Sequence, residues 1–460
     1  MPDPIEHVVV LMLENHSFDQ MLGGMKAEVA DIDGVDPSAP HANSDDAGRV
    51  YSQAPTSAPA IKPDPKHDTP NVLNQLANNN GGFVLDYCSN PTTTPAQRQQ
   101  IMSYYPAGAL PALHELARHF VVCDRWFCSV PGPTWTNRFF VHSGTSLGRV
   151  KMPNNLFSDP ALYVGYDQDT IFDRLNERGI DWRVYYGDIP HSLVMSHQRR
   201  PENAVRHRLM AEFYADAADA GNPFPPYAFI EPRYYWPNQN DDHPPHQTAR
   251  AEQLIADVYN ALRGNEALWQ TTLLVVLYDE HGGFYDHVSP PPTVPPDGHQ
   301  EEYTFDRLGV RVPALLASPW VDPGVVHTAY DHTSLLRYLS DKWGLAPLTE
   351  RVTRANSFAD VIRTDGTPAD NAPASITLPA GQQSLAVAGI AAISDMAEPM
   401  NEHQKSLLAF SSALEAEIGE PAILKEMRAA AMRSGSVVAQ LEAAKTRVQA
   451  LLAQHRARTD

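Results

Sequence analysis

Two apolar runs of this chain each end on a pair of oxygen-rich side chains. Residues 5–13 (IEHVVVLML) lead into Glu14 and Asn15, and residues 272–278 (TLLVVLY) lead into Asp279 and Glu280. Runs that are apolar at nearly every position read as strands buried on both faces. Such a strand belongs in a sheet covered by helices on both sides, and it carries its polar tail to one sheet edge. Two tails together offer three carboxylates and an amide oxygen. An all-oxygen set suits one hard divalent cation, Ca²⁺, Mg²⁺ or Mn²⁺, better than zinc. Either pair alone reads equally well as a cap or a solvated group. Their placement behind two buried strands favours ligands.

The rest of the chain alternates helix and strand patterns. Helical spacing covers 110–120, 170–178, 249–263 and 333–342, and short apolar strands are expected at 120–123, 182–185, 227–230 and 312–316. This order predicts an α/β three-layer sandwich with a mainly parallel central sheet. The polar stretch at about 30–80 reads as surface loops. Residues 1–363 are expected to form the catalytic domain, 364–400 a linker or edge excursion, and 401–460 a C-terminal helical segment. In that segment Leu407, Leu408, Leu414 and Ile418 share one stripe, and Val437, Val438, Leu441, Val448 and Leu452 another. The stripes fit a helical hairpin packed on the main domain, or self-association through these helices.

The formal net charge of -20 argues against binding nucleic acid. No apolar stretch approaches the length of a membrane span or a signal segment, so a cytoplasmic protein is expected. A leader removed from the chain would instead make it periplasmic or secreted. Cys88, Cys123 and Cys128 form an odd set without a CxxC and read as buried free thiols, with a Cys123–Cys128 bridge as the alternative. Phosphate-loop, dinucleotide-binding, GxSxG and HExxH patterns are absent from the sequence.

A nucleophile is suggested by GPTWTNR. Thr134 follows a Gly-Pro pair, and a hydroxyl held against a cation loses its proton more readily. Thr136 is the competing hydroxyl. Asn137 and Arg138 are candidates for holding phosphate oxygens, Arg138 by a bidentate fork. His67 (KHD), His243 (DDHPP) and His287 (YDHVSPP) each lie beside an acid on Pro-rich loops, suited to proton transfer or phosphoryl binding. His327 and His332 read as structural, and His281 is open to either role. Trp135, Tyr185, Tyr186, Tyr234, Tyr235 and Trp236 could build a choline cage, although aromatic residues at such spacing more often form core.

Taken in order, ENHSFDQMLG, KHD, CDRWFCSVPGPTWTNR, TIFDRLNERGIDWRVYY, IEPRYY with NDDHPP, and DEHGGFYDHVSPP resemble the bacterial phosphoesterase family. That family joins phospholipases C with an acid phosphatase of the same fold, a branch of the alkaline-phosphatase-like superfamily. The resemblance spans most of residues 1–350. It implies that Glu14, Asn15, Thr134, Asp279 and Glu280 hold one divalent metal and that Thr134 attacks phosphorus. It also implies that His67, His243 and His287 surround the phosphoryl group, and that a phospho-threonine is then hydrolysed. The chain departs from the pattern at His16, where arginine is frequent, at Gln20, where histidine is frequent, and at Thr136, where proline is usual. The expected activity is phospholipase C-like hydrolysis of a phosphoester substrate carrying a phospholipid head group, with acid phosphatase-like phosphomonoester hydrolysis as the alternative. A non-catalytic interaction protein on the same scaffold and a sulfate-ester hydrolase are the remaining readings. The second would require a motif of its own that is not present.

Overall fold

The computed structural model describes residues 3–153, 161–221, 223–235, 238–369, 372–387, 400–414, 418 and 437–459. Its centre is an eight-stranded sheet. In chain order the strands are β1 (His7–Leu13), β2 (Val121–Cys123), β3 (Trp182–Tyr186), β4 (His207–Leu209), β5 (Tyr227–Glu231), β6 (Thr272–Tyr278), β7 (Ala314–Ala317) and β8 (Gly324–Val326). Across the sheet they run β8-β2-β7-β6-β1-β5-β3-β4. Only β7 runs against its neighbours. The other pairings are parallel.

The two apolar runs are adjacent strands. β1 and β6 pair in parallel from His7↔Thr272 to Leu13↔Tyr278, so both polar tails leave the same edge at the same level. Every residue of β6 is buried, as is β1 beyond His7, which requires cover on both faces. The cover comes from two packed groups of helices. One joins α1 (Pro111–His119) to α4 (Thr248–Arg263), and the other joins α2 (Thr134–Ser143) to α3 (Ile171–Glu177) and α5 (His332–Trp343). The capping box of Thr170 and Asp173 starts α3, as its TIFD sequence suggests.

Two differences from the sequence reading stand out. The polar stretch contains a hairpin (Ala42–Ser44 with Val50–Ser52) and a helix (Thr69–Gln75), not loops alone. The 364–400 excursion includes a helix at Ala380–Val387, while 370–371 and 388–399 lie outside the described residues. The C-terminal helices α6 (Glu402–Ala413) and α7 (Val437–Thr459) pack on the main body. Leu407, Leu414, Ile418, Leu441, Val448 and Leu452 share a buried apolar cluster with Trp135, Phe139, Tyr186 and Tyr234. The side chains of Val437 and Val438 lie outside the described residues. All three cysteines are free, Cys123 and Cys128 buried and Cys88 half-buried.

Candidate active site

At the ends of β1 and β6 the backbone itself builds the site. The Asp279 N–H donates to the Leu13 carbonyl at 3.0 Å, and the His16 N–H donates to the Glu280 carbonyl at 3.0 Å. Between them Asn15 turns into the left-handed region, φ 61°, which asparagine tolerates. The Asn15 N–H then donates to Asp279 Oδ1 at 3.1 Å. Gly282, at φ 64°, closes over the turn, and a Cβ there would lie 2.1 Å from the Asn15 carbonyl oxygen. The close approach of two loops, more than flexibility, explains the glycine.

Thr134 is the first residue of α2, with Pro133 at the N-cap. β2, which precedes it, has the same direction as β6, since each is antiparallel to β7. Thr134 therefore enters from the same side of the sheet, with the positive end of its helix behind it.

Among the described residues, Glu14 Oε1 and Oε2, Asn15 Oδ1, Thr134 Oγ1 and Glu280 Oε1 are buried without a hydrogen-bond partner. Leaving such atoms unpaired is costly. Their shared chemistry, all oxygen and mostly anionic, fits a hard cation. Asp279 is more fully occupied. Its Oδ1 accepts from the Asn15 and Glu280 N–H groups, and its Oδ2 accepts from Arg138 Nε at 3.2 Å. Burial pushes the Asp279 carboxyl up to about 6 against the pull of Arg138. Burial also raises Glu14 well above the carboxylate range, with Asp279, Asp241 and Glu280 adding to it against Arg138. In Glu280 burial is outweighed by charged His67 and by bonds from His281 and Gly282, so its carboxyl is lowered.

Arg138 is fully buried, with Nη2 3.0 Å from Glu14 Oε1, although not at hydrogen-bonding angle. It thus stands between the acid pairs of β1 and β6, its Nε bonded to Asp279 and its Nη1 and Nη2 without a hydrogen-bond partner among the described residues. Asn137 is also used differently from expectation. Its Oδ1 accepts from the Val130 N–H at 3.0 Å and its Nδ2 donates to the Gly132 carbonyl at 2.9 Å. Its side chain is thus consumed in holding the loop before Thr134.

His67 and His243 face one another, ring centroids 5.7 Å apart. Both are buried, yet their charges are driven in opposite directions. Burial would lower His67, but Glu280, Asp64, Glu402 and Asp68 bring it up to about 10. Its Nε2 is 4.0 Å from Glu280 Oε1, and its Nδ1 donates to the Pro65 carbonyl at 3.0 Å. His243 is held well below its ordinary value by burial and by the charge of His67. Its Nδ1–H donates to the Pro244 carbonyl at 2.6 Å, and its Nε2 has no hydrogen-bond partner among the described residues.

His287 is not brought to this cluster. Its Nδ1 donates to Asp19 Oδ2 at 2.8 Å and its Nε2 to Asp33 Oδ1 at 3.1 Å. Buried Arg311 joins them, 3.0 Å from Asp19 Oδ1 and 2.8 Å from Asp286 Oδ1. Asp19, Asp286 and His287 have ligand atoms within 4.8 Å of one another, as do Asp169, Asp173 and His197, so these groups too can hold a metal ion. In the first, a guanidinium already supplies the positive charge.

This network predicts a pH dependence of stability. Burial lowers His287, but bonds to Asp19 and Asp33 bring it up to about 10. Its contribution is complete below about 6.5 and lost as pH rises through about 10. Asp33 lies well below the carboxylate range, chiefly through its bond from His287, and Asp19 is also lowered, where His287 and Arg311 outweigh burial. Their contribution is complete above about 4 and lost as pH falls through the depressed values. His287→Ala should therefore cost most between about pH 4 and 6.5, on the order of 2–3 kcal/mol after allowance for partial exposure. Urea unfolding at pH 5, 8 and 10.5 checks this; a cost independent of pH would contradict it.

The departures at His16 and Gln20 are one feature. His16 Nδ1 donates to Gln20 Oε1 at 2.7 Å, and His16 Nε2 donates to the Asp242 carbonyl at 2.9 Å. Burial is outweighed by Asp242, so His16 is raised. The cage candidates Trp135, Tyr185, Tyr186, Tyr234 and Tyr235 are all buried in the interior, and Trp236 lies outside the described residues.

One contributor was missed. His403, on the first turn of α6, is fully buried with Nδ1 3.5 Å from Glu14 Oε1. A helical pattern was legible around it, but where that helix docks is a tertiary matter.

Carboxylates, an amide and a helix-terminal hydroxyl, gathered at one edge of a mostly parallel sheet beside two oppositely tuned imidazoles, define a phosphoester hydrolase. The chain belongs to the Phosphoesterase family, whose profile matches residues 5–346. It is similar to Non-specific phospholipase C6 of Arabidopsis thaliana, 36% identical over 406 residues that cover 82% of this chain and 75% of that protein. Non-hemolytic phospholipase C of Pseudomonas aeruginosa is 29% identical, over 74% of this chain and 54% of its own length. Among solved structures, the phosphonate monoester hydrolase of Agrobacterium radiobacter is 12% identical with a TM-score of 0.33, covering 74% of each chain.

Proposed function

We propose that the chain is a phospholipase C-like phosphodiesterase acting through one divalent cation and a phospho-threonine at Thr134. The observation that carries this reading is the set of buried, unpartnered oxygens on Glu14, Asn15, Thr134 and Glu280. Glu14, Asn15, Thr134, Asp279 and Glu280 would hold the cation, which would supply positive charge to the phosphoryl oxygens and acidify the hydroxyl beside it.

The chain's own groups divide the remaining work. Thr134 Oγ1, its proton released to solvent beforehand, attacks phosphorus as the bond from phosphorus to the diacylglycerol oxygen breaks; in the second step water attacks and the phosphorus–Oγ1 bond breaks. The N-terminal end of α2 favours the negative charge that accumulates there. His67, charged at neutral pH, gives a proton to the departing alkoxide. His243, with its proton fixed on Nδ1, accepts one at Nε2 from the water that hydrolyses the phospho-threonine. Two imidazoles whose pKa values are pushed apart are suited to this division into acid and base. Arg138 opposes the rise that burial imposes on the Glu14 and Asp279 carboxyls. His287 takes no step in this scheme and braces the neighbouring wall.

A cavity of about 310 Å³ adjoins His67, lined by Lys62, Asp64, Lys66, Asp68, Glu402 and Lys405 among others. Charges of both signs suit a zwitterionic head group better than a bare phosphate. No helix among the described residues is long and apolar enough to cross a membrane, so a lipid substrate would be met from outside it.

The test compares phosphatidylcholine, a chromogenic phosphorylcholine ester and p-nitrophenyl phosphate on one preparation. Diacylglycerol release, with the diesters turned over faster than the monoester, is expected. Monoester hydrolysis without diacylglycerol under any condition would make it a phosphomonoesterase.

A further inference from the structure

Helix α6 lies beyond the 5–346 span matched by the family. Its first turn is fastened to the main body with little freedom. Asn401 and Gln404 form a capping box. Gln404 Nε2 donates to the Tyr234 carbonyl at 2.6 Å, and the Tyr235 hydroxyl donates to the Gln404 carbonyl at 2.6 Å. Leu407 and Phe410 then bury themselves beside Trp135 and Phe139 of α2. These contacts fix where His403 stands. Its ring lies 4.4 Å from that of Tyr234 and 5.8 Å from that of His191.

His403 is fully buried and neither ring nitrogen has a hydrogen-bond partner among the described residues. Its Nδ1 lies 3.5 Å from Glu14 Oε1, the one carboxylate oxygen within 4.0 Å of it among those residues. The same oxygen is 3.0 Å from Arg138 Nη2. Packing alone does not account for an imidazole here. A leucine fills a similar space without burying two polar atoms. The place where a buried donor is useful is behind a carboxylate that must hold a cation, because ligating carboxylates depend on outer hydrogen bonds for their orientation.

We infer that His403 is a positioning residue for the cation site, standing 3.5 Å from Glu14 Oε1 where its Nδ1–H can be taken up by that oxygen once the carboxylate binds a divalent ion. The C-terminal segment thereby becomes part of the cation site instead of a separate appendage. The inference rests on the cation reading above.

The full chain is stripped with a chelator and titrated calorimetrically with Mn²⁺ and, separately, Ca²⁺. His403→Leu keeps the volume and loses the donor, whereas His403→Gln keeps a donor at similar reach. The leucine protein should bind the ion about 10- to 100-fold more weakly. The glutamine protein should recover most of that loss, and both should melt with the parent when no ion is present. Parental affinity in His403→Leu overturns the inference. So does an equal loss in both variants, since that would report packing and not the hydrogen bond. A parent that binds neither ion overturns the cation reading itself, and this inference with it.

Discussion

Thr134→Ala is expected to lower kcat on a chromogenic phosphodiester by about 10³-fold or more, the scale for removing a nucleophile. The melting temperature should barely move. Thr134 Oγ1 makes no hydrogen bond among the described residues, and the cap of α2 is Pro133, so the hydroxyl supports neither helix nor loop. Thr134→Ser should retain much of the activity, because the reacting group is kept. Thr136 serves as the control. Its hydroxyl points to the Arg149 carbonyl at 3.4 Å, and Thr136→Ala should cost activity far less. A folded Thr134→Ala protein with full activity would remove Thr134 from the mechanism.

Asp279→Ala should have the second largest effect, and on two readouts at once. The carboxylate accepts two backbone N–H groups and faces buried Arg138, all without access to water. Its removal strands the guanidinium on Glu14 alone and should cost about 3–5 kcal/mol of stability. Asp279→Asn keeps an acceptor for the backbone and should cost less. Both variants should lose the stabilisation that added Mn²⁺ gives the parent. Urea unfolding with and without the ion separates the two effects. A parental response to Mn²⁺ in both variants would show that Asp279 is no ligand.

The parts of this site that were legible in the sequence are those that local chemistry decides. β1 and β6 were readable because a strand buried on both faces must be apolar at nearly every position. Their parallel pairing, which aligns Leu13 with Tyr278, turned two distant acid pairs into one cluster. Strands β4 and β8 were missed because they are short edge strands, HRL and GVV, with no clear alternation to read. The helix at Thr69–Gln75 was hidden by its polar sequence, TPNVLNQ, of which only Thr69, Val72 and Gln75 are buried.

Side-chain roles were legible only where the partner was also local. Thr134 was visible as a hydroxyl after Gly-Pro, but its place at a helix start was not. Arg138 is one turn further along the same helix, which carries it inward to the acids of β1 and β6. His287 looked equivalent to His243, since each follows an aspartate. Asp19, Asp33 and Arg311 claim the former, and no spacing in the chain announces that network. His403 depends wholly on how α6 docks against Tyr234 and Tyr235.

The stereochemical course at phosphorus tests the central claim most directly. A phosphodiester made chiral at phosphorus with sulfur is hydrolysed in ¹⁸O-water and the configuration of the product is read. Attack by Thr134 followed by attack of water inverts twice, so overall retention is predicted. Inversion would mean that water displaces the leaving group in a single step, and the phospho-threonine account would be wrong.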